Sequence, residues 1–222
     1  MQKTGLLLIS AAVLFWLAWL MMPGVGVTDA RQIFTLVSTQ RSLVMVSVVI
    51  QLISAVLYVP ALLGVVLDVN RSSFPTVQRW SGLLIVGAMG SAADAVLHLL
   101  AFAMTAPGLE IEKLISVMEF MQGPGLILLA PLILCFFLGG GGLSWIFSKN
   151  RLVSPWNFRL HLIAIVIAVF GGLLATRGLI PSRVVGLVAL GIISAAQVWI
   201  GIAFCMRSVS EKVNSLEHVS AL

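Results

Sequence analysis

The sequence predicts an all-α fold: a polytopic membrane helical bundle with about six transmembrane helices. Three observations predict it. Of 222 residues, 60% are hydrophobic and 9% are charged, with a mean hydropathy of +1.12. An ordinary soluble domain carries about a quarter charged residues, so a soluble globular enzyme is excluded. The apolar residues fall into runs near the roughly 20 residues that a ~30 Å hydrocarbon core demands. Finally, these runs show no apolar/polar alternation and are too long for strands, which excludes a lipid-spanning sheet.

The first expected span is Gly5–Met22, after Lys3. It is longer than a signal-peptide core and no small-x-small cleavage site follows at Pro23 to Val27, so it reads as a retained helix. The others are Leu43–Leu67, Ser81–Thr105, Met121–Leu138, Phe158–Thr176 and Val184–Cys205. Residues 1–206 then form one transmembrane domain, and 207–222 a short polar tail.

Two connectors carry a pattern of their own. Pro23-Gly24 leads into Thr28–Ser42, and Pro107-Gly108 leads into Glu110–Phe120. Both segments predict short amphipathic surface helices, with Ile33, Phe34 and Val37 on one apolar face and Leu114, Val117 and Met118 on the other. Two readings of the echo stand: hairpins duplicated at a period near 84 residues, or the general likeness of any two membrane hairpins.

Orientation follows from Lys and Arg. Lys3, Arg71, Arg79, Lys149, Arg151, Arg159, Arg207 and Lys212 fall on one side, and Arg31, Arg41, Lys113, Arg177 and Arg183 on the other. Eight against five places both termini in the cytoplasm of a cell (inner or plasma) membrane. Trp80, Trp145 and Trp156 lie at the cytoplasmic helix ends, where an aromatic belt belongs. The net charge of +5 is not clustered, so nucleic acid is not an expected partner. Cys135 and Cys205 lie in apolar runs and read as packing residues.

Asp94 is the candidate functional residue. It lies near the middle of the third expected span, where a carboxylate costs roughly 2.5–3.5 kcal/mol and must face the bundle interior. His98 follows at i+4 and Gly90 precedes at i−4. One reading is a proton- or cation-handling Asp–His pair; the plainer one is a protonated Asp that glues helices together. Gln51 and Gln197, on other spans, are candidate partners.

His98 and His161 do not make a haem pair: at 1.5 Å per residue their depths differ by about 20 Å. His161 is expected to snorkel beside Arg159, and His218 in the tail has no partner at metal spacing. No metal or other cofactor is expected. The Gly139–Gly142 run lacks the Lys-Ser/Thr of a phosphate loop and reads as a flexible helix exit. Pro60 and Pro131 are expected to interrupt the second and fourth helices. Gly171-Gly172 and the Gly191/Ala195 pair mark close helix approach. No hydrolase elbow, zinc-protease motif or intramembrane Glu pair is present.

Phe136-Phe137-Leu138, a glycine-containing helix end, Ser148, then Leu152 and Pro155 resemble the layout of a family of uncharacterised bacterial six- or seven-helix membrane proteins. The similarity covers about a quarter of the chain and implies a fold, since that family has no known function. It departs at Gly139–Gly142 and through most of the first half.

Three functions are therefore expected, in order. The first is an accessory or assembly subunit of a larger membrane complex, meeting a protein partner or its own copy through small-residue helix faces. The second is a small proton- or cation-coupled carrier using Asp94, and the third an intramembrane enzyme. A carrier needs a cavity with water access at Asp94; a subunit needs a wide apolar face.

Overall fold

The computed structural model describes residues 1–69 and 74–220, with side chains as far as Arg207. Arg71 in the orientation count, and the side chains of Glu211, Lys212, Glu217 and His218, lie outside that description. The chain runs α1 (Gln2–Met21), α2 (Ala30–Thr39), α3 (Arg41–Asp68), α4 (Phe74–Met104), α5 (Ile111–Phe120), α6 (Leu126–Lys149), α7 (Trp156–Val166), α8 (Gly172–Thr176) and α9 (Ser182–Ser220). Six stretches are long and apolar enough to cross a membrane: Gln2–Met21, Arg41–Asp68, Phe74–Met104, Ile111–Lys149, Trp156–Thr176 and Ser182–Arg207. No strand occurs among the described residues, and the fold is an all-α bundle.

Three of these spans run well past their expected bounds. α4 begins at Phe74 rather than Ser81, with Pro75 in its first turn, where a missing N–H costs nothing. Single π turns, Met121–Gly125 and Ile167–Gly171, join α5 to α6 and α7 to α8. Pro124 lies in the first; lacking an N–H, it widens the turn without ending the helix. The backbone of α9 stays helical to Ser220, into the segment expected as a tail.

The glycine run is not a flexible exit. Gly139–Gly142 lie inside α6, because backbone groups at membrane depth have no water and must pair within a helix. Their missing side chains admit neighbours instead. An added Cβ on Gly139 would strike the Leu84 backbone, and one on Gly142 the Trp80 ring. Gly87 meets the Phe136 backbone in the same way, so α4 and α6 touch main chain to main chain. Gly5 of α1 and Gly201 of α9 form a second such contact.

The six spans close into a ring in chain order. α1 packs on α3, α3 on α4, α4 on α6, α6 on α7, α7 on α9, and α9 returns to α1. Successive spans run up and down, so one end of the bundle carries the amphipathic helices and the other carries Asp68. At the Asp68 end Thr4 Oγ1 donates to Asp68 Oδ2 at 2.8 Å. One hydrophobic cluster, around Tyr58, Phe136 and Phe204, fills most of the ring. A second, around Phe34, Val44, Ala101 and Met118, fills the opposite end beneath α2 and α5.

Both amphipathic segments are helical. Asp29 caps α2 by accepting from the Gln32 N–H at 2.7 Å, and Ile33, Phe34 and Val37 face inward. On α5 the buried side is Leu114, Ile115 and Met118, while Val117 is exposed, one position away from the expected face. Arg31 forms two hydrogen bonds to Glu112 at 2.6 and 2.8 Å, which hold its guanidinium above the ordinary pKa. Gly24 and Gly108, each after a proline, adopt φ of +82° and +86°, so the two hairpins turn with the same backbone device. They differ beyond it: α2 is separated from α3 by a break at Gln40, whereas α5 runs on into α6.

Candidate functional site

The site is built on the buried face of α3. Ser47, Gln51, Ser54 and Tyr58 recur at intervals of four, three and four residues, which aligns them on one stripe. Ser47 Oγ donates to the Ala18 carbonyl at 2.6 Å and Ser54 Oγ to the Ala11 carbonyl at 2.8 Å, tying α3 to α1. Gln51 and Tyr58 reach the other way, to separate polar centres.

At Gln51 the side-chain amide donates to Asp94 Oδ2 at 3.0 Å and to Ser91 Oγ at 3.2 Å. Asp94 is 8% exposed and faces the interior, as a carboxylate at this depth must. His98 Nδ1 stands 3.4 Å from the same Oδ2, without the alignment of a hydrogen bond. The imidazole also meets the edge of Trp19, ring centres 6.0 Å apart. Asp94 lies ten residues before Met104, roughly 15 Å from that helix end at 1.5 Å per residue, about half of a ~30 Å hydrocarbon core; the extra length of α4 lies at its other end, from Phe74.

Two cavities meet at this carboxylate. A cleft of about 190 Å³ reaches from the Pro23–Thr28 loop and α2 past Trp19 and Gln122 to Asp94 and His98. A second cavity of about 230 Å³ lies between α1, α4, α6 and α9; Phe15, Phe136, Ala189 and Leu190 line it, and although Ser91 and Asp94 border it, its surface is almost wholly apolar. Among the described residues no Lys or Arg lines either one. Below them Phe15, Tyr58 and Phe136 pack as a block, with Phe15 stacked on Phe136 at 4.7 Å.

Gln197, expected as a partner of Asp94, belongs to a different centre. Its Oε1 accepts from the Tyr58 hydroxyl below the aromatic block. His161 joins it there, and does not snorkel. It is 1% exposed, with Nδ1 3.1 Å from Ser144 Oγ and 3.5 Å from the Asn157 carbonyl. The α7 face that carries Asn157 and His161 turns inward, and Arg159 lies instead over the Trp156 ring at 4.7 Å. His161 Nε2 and the Gln197 amide nitrogen both border Gly140 and have no partner among the described residues. The three tryptophans divide as well: Trp145 and Trp156 are exposed, whereas Trp80 is half-buried against Gly142.

The structure therefore brings together Gln51, Asp94 and His98, and separates Gln197 from them. The sequence places Ser91 only on the helix stripe beside Asp94; Tyr58 and Ser144 were not among its candidates, although the four-three-four spacing along α3 was available for Tyr58. Among the described residues no three His, Cys, Asp or Glu gather as metal ligands. Pro60 and Pro131 lie within α3 and α6, and Cys135 and Cys205 are unpaired and half-buried.

The class defined by this fold and site is a six-span helical bundle with a polar centre in its interior. Compared with protein families, with curated proteins and with solved structures, the chain matches none.

Proposed function

We propose that the protein is a small membrane carrier for protons or a small cation, with Asp94 as the carboxylate that takes the charge. This was the second of the three sequence expectations. One observation carries it: Asp94 edges a cleft that reaches it from the amphipathic-helix end and borders a largely apolar space beyond, with no Lys or Arg in either wall among the described residues. A carboxylate so placed, neutralised by a proton or cation on arrival, fits a transport site better than packing glue. In this reading the amphipathic-helix end faces outside, both termini are cytoplasmic and the membrane is the cell membrane, as the Lys/Arg count argues.

The test is flux in proteoliposomes carrying an internal pH dye, driven by a potassium diffusion potential. Wild-type protein acidifies the lumen; Asp94→Asn, which keeps the shape and loses the titration, does not, while purifying as a monodisperse particle. Equal flux from both, or none from the wild type with protons, sodium or potassium, overturns the reading.

An accessory subunit of a larger complex is the second reading. It is favoured by the fifth span, Trp156–Thr176, the least buried of the six, where Val169, Phe170 and Leu173 face outward together. Site-directed photocrosslinking from Phe170 in intact membranes tests it, and a product with lipid alone removes it. An intramembrane enzyme has no supporting constellation among the described residues.

A further inference from the structure

A groove at the Asp68 end has a construction that neither the bundle nor the Asp94 site requires. About 760 Å³ in volume, it lies between the α6–α7 turn and the last membrane turns of α9. One wall is polar and basic, with Ser148, Lys149, Arg151 and Ser154; the other is apolar, with Trp199, Ile202 and Met206. Among the described residues no Asp or Glu lines it.

Arg151 has a φ of +57°, the one non-glycine residue with positive φ among those described. The Leu152 N–H returns to the Phe147 carbonyl at 2.9 Å and the Arg151 N–H to Ser148 at 3.1 Å. This is the helix closure whose left-handed position glycine or asparagine ordinarily occupies. An arginine there strains the backbone where glycine would not. Its guanidinium is exposed and forms no hydrogen bond or ion pair with any described residue, so no contact among those residues repays the strain. Strain retained at one position points to a use for that side chain outside the chain itself.

We propose that this groove binds the phosphate-bearing headgroup of an anionic phospholipid. Arg151 offers a planar fork of donors and Lys149 a second positive charge. Of the hydroxyls in the same wall, Ser148 already donates to the Ser154 carbonyl, while Ser154 accepts from the Trp156 N–H and keeps its own proton to offer. α7 begins beside the groove at Trp156, so its positive end adds to the field. The apolar wall commits the occupant to a lipid and not to free phosphate. Trp199, Ile202 and Met206 continue the groove along α9 toward membrane depth, where an acyl chain would lie. Exposed Trp145 and Trp156 mark the same level as the headgroup layer. The inference is independent of the carrier proposal, since it uses neither Asp94 nor either of its cavities.

The test uses the full chain in phosphatidylcholine nanodiscs with an increasing fraction of phosphatidylglycerol, read by native mass spectrometry and thermal unfolding. Wild-type protein retains phosphatidylglycerol and unfolds at a higher temperature with it than without. Arg151→Gly suits the left-handed backbone and removes only the side chain, so it folds at least as well. It binds at least about tenfold more weakly, the worth of one charge-assisted hydrogen bond. Arg159→Gln, outside the groove at the same membrane level, leaves retention unchanged. Equal retention by wild type and Arg151→Gly overturns the proposal, as does an equal loss in Arg159→Gln, which would mean surface charge alone. Inorganic phosphate or soluble glycerophosphoglycerol raising the unfolding temperature as much as the lipid overturns the lipid assignment.

Discussion

Gln51 holds Asp94. Its side-chain amide donates to Oδ2 at 3.0 Å, joining α3 to α4 inside the bundle, and also to Ser91 at 3.2 Å. Replacing it with Leu leaves the carboxylate without that donor, whereas Gln51→Asn keeps an amide on a shorter arm. Gln51→Leu is expected to cost about 1–2 kcal/mol of bundle stability, the range of interhelical hydrogen bonds in membranes. Asp94→Asn, which can still accept from Gln51, should cost less. Unfolding in a graded sodium dodecyl sulfate titration, followed by tryptophan fluorescence, gives both values; a Gln51→Leu protein as stable as wild type refutes the pairing.

The Tyr58–Gln197 contact should behave as a coupled pair. Tyr58→Phe strands the Gln197 oxygen, and Gln197→Leu strands the hydroxyl. The double variant should lose less than the sum of the singles, with a coupling of roughly 0.5–1.7 kcal/mol. Strict additivity in the same titration would separate the two residues.

Glycine positions divide into two groups by what lies opposite. Gly87→Leu drives atoms into the Phe136 backbone and should cost about 1–3 kcal/mol or prevent insertion of a stable bundle. Gly82→Ala and Gly141→Ala meet nothing within 4 Å and should stay within roughly 0.5 kcal/mol of wild type. A large loss at Gly141 would show that an unseen neighbour packs there.

Topology is open to cysteine labelling in a Cys135→Ala, Cys205→Ala background. A cysteine at Ser38, exposed on α2, should react with an impermeant maleimide from outside the cell. Cysteines at Ser73 and Ser220 should react only after permeabilisation; the structure describes nothing at Ser73 and no side chain at Ser220. Reaction of Ser38 and Ser220 from one side removes the six-span arrangement.

The number and order of the spans were legible because solvation alone dictates them: a run of some 20 apolar residues has few other places to go. Asp94 and His98 were legible as a pair because both lie on one helix, at i and i+4. Gln51 was a candidate because an amide at membrane depth needs a partner. Which partner was not legible: Gln51 and Gln197 looked alike, and only the packing of α3 sent one to Asp94 and the other to Tyr58.

Local sequence thus determined the helices, their apolar bulk, the turn chemistry at Gly24 and Gly108, and the need to bury a carboxylate. Tertiary structure decided everything that depends on the rotation of one helix against another. It turned His161 inward to Ser144 rather than outward beside Arg159, packed Leu84 and Trp80 against the Gly139–Gly142 run, and placed Asp94 beside two cavities. The reason is that hydropathy along an almost wholly apolar helix carries little phase. With lipid and protein interior nearly equal as solvents for Leu, Val and Ile, the side of each helix that faces inward is chosen by steric fit at glycines and by scarce polar groups finding one another.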